Sequence, residues 1–331
     1  MLNWFEQNKR NLPWRNTQNP YFIWLSEVIL QQTRVAQGLP YYLKFIEKYP
    51  TIQDLAKAPE DEVMKLWQGL GYYSRAKNMH YTAKYLTEIH QGQFPTSFEE
   101  IKQLKGVGQY TAAAIASFAF NQPVAVVDGN VQRVLARWLG INTDIKNKKI
   151  FQSHADALLN FEKPAAHNQA MMEFGAVQCV PQNPDCASCI MQDICYAYKN
   201  DLVRELPIRV KKPFKPEKKA YFYYIENEEH QILIRKRPNK GIWANLYEIP
   251  NTLNTELDLT LPAQYLEKGY LKHIFTHFIL HITWLHYKIQ KQDIVLSQNY
   301  EWVEIDKTDD FAYPVPVQKI ITTIRNKKGL F

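Results

Sequence analysis

The sequence predicts a multidomain protein in which an all-α domain is followed by an α+β domain. Apolar residues recur at helical spacing through residues 1–201, in runs that proline or glycine interrupts. After residue 220 the pattern alternates and is rich in β-branched and aromatic residues, which is typical of strands. We therefore assign residues 1–201 to the first domain, 202–219 to a linker and 220–331 to the second domain.

The individual elements follow from the same periodicities. The predicted helices of the first domain are Tyr21–Val35, Tyr41–Glu47, Asp61–Leu66, Tyr110–Phe120 and Val131–Leu139. The predicted strands of the second domain are 220–225, 231–236 and the long run 272–289, and an amphipathic helix, Pro316–Arg325, follows them.

The stretch between the domains differs from both in composition. Residues 202–219 contain Pro207, Pro213 and Pro216, seven Lys or Arg and two Glu, which gives a net charge of +5. Proline and like charge both oppose compaction. This composition predicts an extended basic linker.

Bulk composition limits the class of protein. The chain has 331 residues, of which 46% are hydrophobic and 13% aromatic, enough for two folded cores. The first ten residues, MLNWFEQNKR, lack the apolar run of a signal peptide, and no segment reaches the length of a membrane span. We expect an intracellular, cytoplasmic protein that does not enter a membrane. Its net charge of +7 permits a polyanionic partner.

All four cysteines of the chain fall in one short segment, with the spacing C-x6-C-x2-C-x5-C: Cys179, Cys186, Cys189 and Cys195. A zinc ribbon usually has two separate C-x2-C pairs, whereas this segment has one pair with a single cysteine on either side. That spacing favours the corners of an iron–sulfur cluster, with structural zinc as the alternative. Disulfides fit poorly, because thiols inside cells stay reduced.

A glycine turn precedes an alanine-rich helix in LKGVGQYTAAAIASFAF, residues 104–120. Gly106 and Gly108 permit a tight turn that leaves backbone N–H groups free at a helix N-terminus, where a phosphate can bind. The pattern resembles a helix–hairpin–helix that holds the DNA backbone. An ordinary turn between helices is the alternative.

Two acids stand out from their surroundings. Glu27 is the only acid in residues 20–35, and apolar residues occupy its helix face, so desolvation should raise its pKa. Asp128 precedes a helix and could be its N-cap, but it follows the glycine turn closely enough to return to the same cleft, with Asn130 beside it. An acid that keeps its proton and a separate carboxylate are the pair required to cleave a glycosidic bond. The alternative for Glu27 is a structural buried glutamate.

The motifs together resemble one family. The hairpin, VDGNV and the cysteine cluster resemble the endonuclease III superfamily of helix–hairpin–helix DNA glycosylases. Four further motifs resemble the MutY-type adenine DNA glycosylases within it: LPWR (12–15), SEVILQQTRV (26–35), GLGYYSRA (69–76) and NQAMMEFGA (168–176). The resemblance extends over essentially the whole chain.

This resemblance implies removal of adenine mispaired with 8-oxoguanine or guanine. It implies that Glu27 protonates adenine N7, that Asp128 stabilises or captures the sugar, and that Asn130 orients Asp128 and the attacking water. Tyr110 stands where bifunctional relatives carry a lysine. A phenol cannot form the Schiff base that permits strand cleavage, so we expect a monofunctional glycosylase.

The resemblance also implies residues that contact DNA. Trp14 and Arg15, with Gln169 as a further candidate, would line the pocket for adenine. Gln32, Leu70 and Tyr72 would enter the duplex around the extruded base, which is costly to unstack. The structural alternatives are the helix surface for Gln32 and core packing for Tyr72.

The second domain resembles a MutT-like Nudix fold through residues 233–250 and 273–278. A Nudix hydrolase needs a glycine-led helix with an array of glutamates for its metal, which this sequence lacks. We expect this domain to recognise 8-oxoguanine without hydrolysing a nucleotide, through a turn that consists of Phe275, Thr276 and His277. The family has serine at the position of Thr276, so the hydroxyl is kept. A simple strand end is compatible with the same pattern.

The resemblance implies a [4Fe–4S] cluster on the four cysteines, double-stranded DNA as partner and a monomeric state. One departure concerns the loop VPQNPD, residues 180–185, which is basic in relatives and here has no Lys or Arg. Two other functions remain open from the residues. They are a pyrimidine-lesion glycosylase/lyase of the same superfamily and a DNA-binding protein without catalysis.

Overall fold

A computed structural model describes residues 1–210, 214–253, 257, 259, 261, 264–294 and 299–327. The chain divides into two compact units. The helical unit comprises residues 1–57 and 81–212, and the sheet unit comprises 58–80 and 213–331. The prediction of an all-α domain followed by an α+β domain is confirmed. The structure adds that residues 58–80, which the sequence places in the first domain, cluster with the second.

Twelve α-helices precede the sheet in the described part of the chain. They are α1 (Leu2–Asn8), α2 (Pro20–Leu30), α3 (Val35–Lys48), α4 (Ile52–Lys57), α5 (Glu60–Leu66), α6 (Ser74–Ile89), α7 (Phe98–Gln103), α8 (Gln109–Phe120), α9 (Gly129–Leu139), α10 (Lys148–Leu158), α11 (Pro164–Glu173) and α12 (Tyr196–Lys199).

The first predicted helix is too long. Helix α2 ends at Leu30, and α3 begins only at Val35. Gln32, between them, has a left-handed backbone with φ +56°, which breaks the helix although no proline or glycine signals the break.

Helices α2 and α8 pack directly against each other in the helical unit. The buried face of α8 includes Ala112, Ala113 and Ala114, whose short side chains permit a close approach of the two backbones. Eight of the eleven residues of α2 are buried. This contact places the acid of α2 close to the first turn of α8.

A six-stranded sheet forms the centre of the sheet unit. The strands are β1 (Glu217–Glu226), β2 (Gln231–Lys236), β3 (Tyr247–Glu248), β4 (Glu267–Ile274), β5 (Ile279–Lys288) and β6 (Tyr300–Glu304). Their order is β3-β2-β1-β5-β4, and β6 also pairs with β2. Strands β1 and β5 are parallel, with Phe222 opposite Trp284, and the other described pairs are antiparallel.

The long run 272–289 is two strands rather than one. Strand β4 ends at Ile274 and β5 begins at Ile279, so the predicted recognition residues lie in the hairpin between them. The C-terminal helix α13 (Val315–Lys327) buries Val317 and Ile320 in the same core as Phe222 and Leu280 of the sheet. Burial of such side chains contributes roughly 1.5–3 kcal/mol each.

The segment predicted as an extended linker is partly packed. Leu206 is 5% exposed, and its carbonyl accepts a hydrogen bond from Arg137 Nε at 3.0 Å. Ile208 accepts one from the backbone N–H of Ile145, also at 3.0 Å. The aliphatic residues thus keep this part of the segment on the helical unit despite its charge. Pro213 lies outside the described residues.

A membrane-spanning helix is not found in the part of the chain that the structure describes: each helix there is too short or too polar.

Candidate active site

Glu27 lies on the buried side of α2. It is 7% exposed, and Ile23 and Trp24 of the preceding turn are buried with it. Desolvation by burial, and then the charge of Asp128, raises the pKa of Glu27 to about 7, although a hydrogen bond from Tyr110 acts in the opposite direction. A carboxyl group in this position carries a proton at neutral pH in a large fraction of molecules.

Tyr110 occupies the first turn of α8. Its hydroxyl hydrogen-bonds to Glu27, and burial, followed by the charges of Glu27 and Asp128, raises the pKa of the phenol well above its usual value. Tyr110 is therefore neutral and can donate to the Glu27 carboxylate when the latter is ionised.

Asp128 is the N-cap of α9. One carboxylate oxygen accepts the backbone N–H groups of Asn130 at 2.8 Å and Val131 at 2.7 Å, and the other accepts Asn130 Nδ2 at 2.8 Å. Burial raises the pKa of Asp128, whereas these hydrogen bonds and the charge of Arg133 lower it. The N-cap interpretation and the catalytic one are thus compatible, because capping orients the carboxylate.

Arg133 connects this carboxylate to distant parts of the helical unit. Its Nη2 donates to Asn130 Oδ1 at 2.9 Å and to the Gly175 carbonyl at 2.5 Å, and its Nε donates to the Cys179 carbonyl at 2.8 Å. The side chain is 4% exposed. Sequence analysis did not single out Arg133, although a basic residue on the buried face of α9 is a usable signal.

Gly175 lies in a π-helical turn, Phe174–Gln178, that follows α11. A Cβ atom at Gly175 would lie 2.7 Å from Asn130 Cβ and 2.9 Å from the Asn130 carbonyl carbon and oxygen. Only glycine permits this approach of the turn to α9. Such π-turns occur frequently at functional sites.

A narrow cavity of about 40 Å³ reaches Glu27. Its lining brings together Trp14, Arg15 and Gln169, the residues that the sequence places in a base pocket. Phe118 and Met172 complete the apolar wall. The cavity has room for about one water molecule.

Arg15 is already engaged in this structure. Its Nη2 donates to Glu173 Oε2 at 2.6 Å, and its Nη1 donates to the Arg10 carbonyl at 3.0 Å. Glu173 is fully buried, but the hydrogen bonds from Arg10 and Arg15 outweigh burial and lower its pKa to about 2. This ion-paired glutamate fixes the Arg15 side chain at the rim of the cavity, and sequence analysis missed it.

The four cysteines line one pocket together with Arg137. Arg137 Nη1 donates to Cys179 Sγ at 3.4 Å and to the Val180 carbonyl at 2.8 Å. Burial, followed by the neighbouring thiols Cys179 and Cys195, raises the pKa of Cys186. Within the described ranges, no three His, Cys, Asp or Glu side chains converge on a position for a single metal ion.

The two glycine positions of the hairpin turn differ in whether they require glycine. Gly106 has φ +81°, a left-handed conformation that favours glycine. Gly108 caps α8 with φ −88°, and a Cβ there would meet nothing within 4 Å. Both glycines are exposed.

The predicted residues for entry into DNA have different environments. Gln32 is exposed and Tyr72 is 48% exposed, both with left-handed backbones, as expected of residues that project from turns. Leu70, in contrast, is 6% exposed and lines a cavity of the sheet unit.

That cavity, of about 710 Å³, also contains the predicted recognition residues. Phe275, Thr276 and His277 line it together with Tyr72 and Trp243. The hydroxyl groups of Tyr72 and Thr276 are hydrogen-bonded at 2.6 Å. The GLGYYSRA motif thus meets the 275–277 turn within one unit, although about 200 residues of sequence separate them, a span that periodicity cannot bridge.

Comparisons with known families find two matches along the chain. Residues 25–159 match the family described as "HhH-GPD superfamily base excision DNA repair protein", and residues 220–323 match the NUDIX domain. Among solved structures, a thermostable thymine-DNA glycosylase superposes with a TM-score of 0.56 at 32% identity and covers 60% of this chain and 93% of its own.

Curated relatives extend the similarity over both units. The adenine DNA glycosylase of Buchnera aphidicola subsp. Baizongia pistaciae is 35% identical over 98% of this chain and 95% of its own. That of Mus musculus is 45% identical over 60% of this chain and 41% of its own. With a helical unit of the HhH-GPD fold followed by a NUDIX domain, this chain belongs to the adenine DNA glycosylase family of base-excision repair enzymes.

Proposed function

We propose that this chain is a monofunctional glycosylase that removes adenine mispaired with 8-oxoguanine or guanine by hydrolysing the N-glycosidic bond. One observation carries the proposal. A buried acid, Glu27, has a pKa of about 7 and lies at a cavity beside a second, hydrogen-bonded carboxylate, Asp128. These are the two acids that glycosidic cleavage requires.

Glu27 acts as the general acid in this proposal. Its pKa near neutrality allows it to hold a proton and still release it, which is the optimum for proton transfer. The proton goes to N7 of the extruded adenine, so that the C1′–N9 bond breaks and the base leaves without a negative charge.

Asp128 stabilises the oxocarbenium-like sugar that remains. Its carboxylate accepts three hydrogen bonds, which fix its position before the charge develops. Asn130 orients Asp128 and the water that attacks the sugar. Tyr110, a phenol where a lyase needs an amine, donates to Glu27 and leaves the product as an intact abasic strand.

Base entry requires movement at the cavity. A space of about 40 Å³ is too small for a purine, so the side chains of Trp14, Arg15 and Gln169 must shift when the base enters. The backbone N–H groups near Gly106 and Gly108 bind phosphate in this proposal. Gln32 of the helical unit and Tyr72 of the sheet unit are exposed on turns, and each can enter a duplex beside an extruded base, whereas the buried Leu70 can do so only after it moves.

The sheet unit reads the base opposite the adenine. Phe275, Thr276 and His277 form an exposed turn at the rim of a large cavity, and the Thr276 hydroxyl is already oriented by Tyr72. A hydroxyl and an imidazole on this turn can distinguish the N7–H and O8 of 8-oxoguanine from the bare N7 of guanine.

The four cysteines hold a [4Fe–4S] cluster in this proposal. Each thiolate of such a cluster binds its own iron, whereas zinc requires all sulfurs about 2.3 Å from one point. The four thiols line one pocket, and a set of four cysteine sulfurs suits the cluster. Elemental analysis should give about four irons per chain and a brown protein. One zinc per chain would contradict the assignment.

Excision assays on defined duplexes test the function. Purified protein is incubated with A:8-oxoguanine, A:G, T:G, thymine glycol and uracil duplexes, and the strands are analysed with and without alkali. We expect adenine release, with strand breakage only after alkali. Breakage at thymine glycol without alkali would instead identify a glycosylase/lyase, and release of thymine from T:G would identify a thymine glycosylase.

Two variants separate catalysis from binding. Glu27→Gln keeps the shape of the side chain but removes the proton donor, so excision should be lost while duplex binding is kept. Glu47→Gln, at an exposed position of α3, is the matched control and should keep both. If the unaltered protein binds the duplexes but releases no base from any of them, it is a DNA-binding protein without catalysis. We expect a monomer that acts on chromosomal DNA in the cytoplasm. Gel filtration with and without DNA tests the oligomeric state.

A further inference from the structure

The 275–277 turn has an exposed part and an anchored part. Thr276 and His277 are exposed, whereas Phe275 is half-buried. The backbone N–H of Phe275 donates to the Phe278 carbonyl at 2.9 Å, which closes the turn. The position of Phe275 therefore determines where the two exposed side chains point.

Phe275 is held by other aromatic rings. It stacks on Phe278 with centroids 4.3 Å apart and an interplanar angle of 20°, and His273 meets its edge at 4.6 Å. Trp243 lies 5.3 Å from Phe275 and 5.6 Å from His273. Trp243 lies in the loop between β2 and β3, so a residue outside the β4–β5 hairpin holds that hairpin in place.

The backbone of Trp243 is unusual. Its φ of +58° is left-handed, which is costly for a bulky residue and persists only where the surroundings enforce it. Arg237 Nε donates to the adjacent Ile242 carbonyl at 2.9 Å, and the Leu246 N–H donates to the Trp243 carbonyl at 3.2 Å. Arg237 is itself paired with the buried Glu248. This buried ion pair helps hold the loop so that Trp243 faces Phe275.

A second contact holds the turn from the segment that precedes β1. Lys215 Nζ donates to the Phe275 carbonyl at 2.8 Å. Lys215 lies in the segment that joins the domains in the sequence, just before β1, and is half-buried. The ring of Phe275 and its carbonyl are thus held by two independent residues.

We propose that Trp243 and Lys215 are positioning residues for the 275–277 turn, and that they determine how strongly the enzyme discriminates 8-oxoguanine from guanine opposite adenine. This inference rests on the proposed function. Neither residue needs to touch the lesion: they act through Phe275 on Thr276 and His277. Recognition groups must be held within about 0.5 Å of their productive positions, so loosening the turn weakens the contact that distinguishes the two bases.

Single-turnover excision on A:8-oxoguanine and A:G duplexes tests the proposal. Both rates are measured with the same preparation, so their ratio does not depend on the fraction of active protein. Trp243→Gly removes the ring but tolerates the left-handed backbone, and Lys215→Met removes the hydrogen bond to the Phe275 carbonyl. Each variant should lower the ratio of the A:8-oxoguanine rate to the A:G rate at least about threefold, which is the effect of losing one neutral hydrogen bond between the turn and the lesion. The A:G rate itself should stay within about twofold.

Conservative and distant variants complete the design. Trp243→Phe and Lys215→Arg keep an aromatic ring or a donor and should restore most of the ratio. Trp302→Leu removes an indole that packs with a different hydrophobic cluster of the same unit and should leave the ratio unchanged. In a Glu27→Gln background, the Trp243→Gly and Lys215→Met variants should also lose preference for binding 8-oxoguanine duplexes over guanine duplexes.

The outcomes separate this inference from the proposed function. An unchanged ratio in Lys215→Met and in Trp243→Gly overturns the inference, and if Trp243→Gly does not fold, Lys215→Met decides, with Lys215→Arg as its conservative counterpart. An equal loss in Trp302→Leu also overturns it. Failure of the unaltered protein to release adenine rejects the proposed function itself, and this is seen before any variant is made.

Discussion

The pH dependence of excision should follow the protonation of Glu27. In the proposed mechanism catalysis requires the protonated acid, so the rate should fall as pH rises through the Glu27 pKa of about 7. The Tyr110 hydroxyl donates to Glu27 and favours its ionised form. Tyr110→Phe removes that donor, so the pKa of Glu27 should rise and the high-pH limb should move to higher pH.

The size of the shift follows from the hydrogen bond. A hydrogen bond to a charged group contributes about 1.5–3 kcal/mol. Since one pKa unit corresponds to about 1.4 kcal/mol, the limb should move by about one to two units. In the same mechanism the low-pH limb reports Asp128, whose hydrogen bonds do not involve Tyr110, and this limb should move less.

Single-turnover rates on an A:G duplex between about pH 5 and pH 9 measure this shift. Tyr85→Phe, at an exposed position of α6, is the matched control and should keep the parent profile. The plateau of Tyr110→Phe will also fall, because the donor orients the acid, but the position of the limb is independent of the plateau. A limb that stays in place or moves to lower pH would refute the proposed link between Tyr110 and Glu27.

Three further changes have defined outcomes. Glu27→Gln should stabilise the protein on the order of 3 kcal/mol more at about pH 8 than at about pH 4. The reason is that Glu27 keeps its proton up to about pH 7 in the folded protein, whereas the same carboxyl group loses it near pH 4.5 in the unfolded chain, so ionisation above pH 7 destabilises the fold. Thermal unfolding at the two pH values measures the difference. Gly175→Ala should reduce excision at least about tenfold while duplex binding persists, because the added Cβ atom displaces Asn130 from Asp128. A factor of ten corresponds to about 1.4 kcal/mol of lost transition-state stabilisation. Thr276→Ala should lower the ratio of the A:8-oxoguanine rate to the A:G rate, and an equal loss on both duplexes would argue against Thr276 as a recognition residue.

Local signals predicted the residues that belong to single elements. Glu27 stands out as an acid in an apolar helix, and Asp128 and Gly106 stand at a helix start and a tight turn, where residue type alone is informative. The break at Gln32 was missed in the element boundaries because it contains no glycine or proline, and the turn at 275–277 was expected only from the resemblance, since it lacks the same local signals. Turn formation there depends on packing that local propensity does not record.

Residues that act across the fold could not be predicted in the same way. Gly175 is required by the backbone of Asn130, about 45 residues earlier, and nothing in its own neighbourhood indicates that contact. Glu173 reads as a single charge at the end of a helix until Arg10 and Arg15 are seen to enclose it. The inclusion of residues 58–80 in the sheet unit likewise depends on tertiary contacts, such as that of Lys65 with the Phe311 carbonyl.

The division of labour between the two acids depends on how many donors each receives. Burial is the largest effect on each acid, and it raises the pKa of both; at Asp128 three hydrogen bonds and the charge of Arg133 oppose it, whereas at Glu27 only the hydrogen bond from Tyr110 does. We therefore expect the proton to stay on Glu27, where the charge of Asp128 raises the pKa further.

The donors on Asp128 depend in turn on Arg133. Because Asn130 Oδ1 accepts from Arg133, its amide nitrogen must face Asp128, so the guanidinium fixes which end of the amide the carboxylate meets. Arg133 is held by the carbonyls of Gly175 and Cys179, which lie in the π-turn and at the start of the cysteine segment. The Asn130 amide that meets Asp128 thus depends on that segment's backbone as well as on α9, and we expect a change that moves the Cys179 carbonyl to weaken this hydrogen bond even when Glu27 and Asp128 are intact.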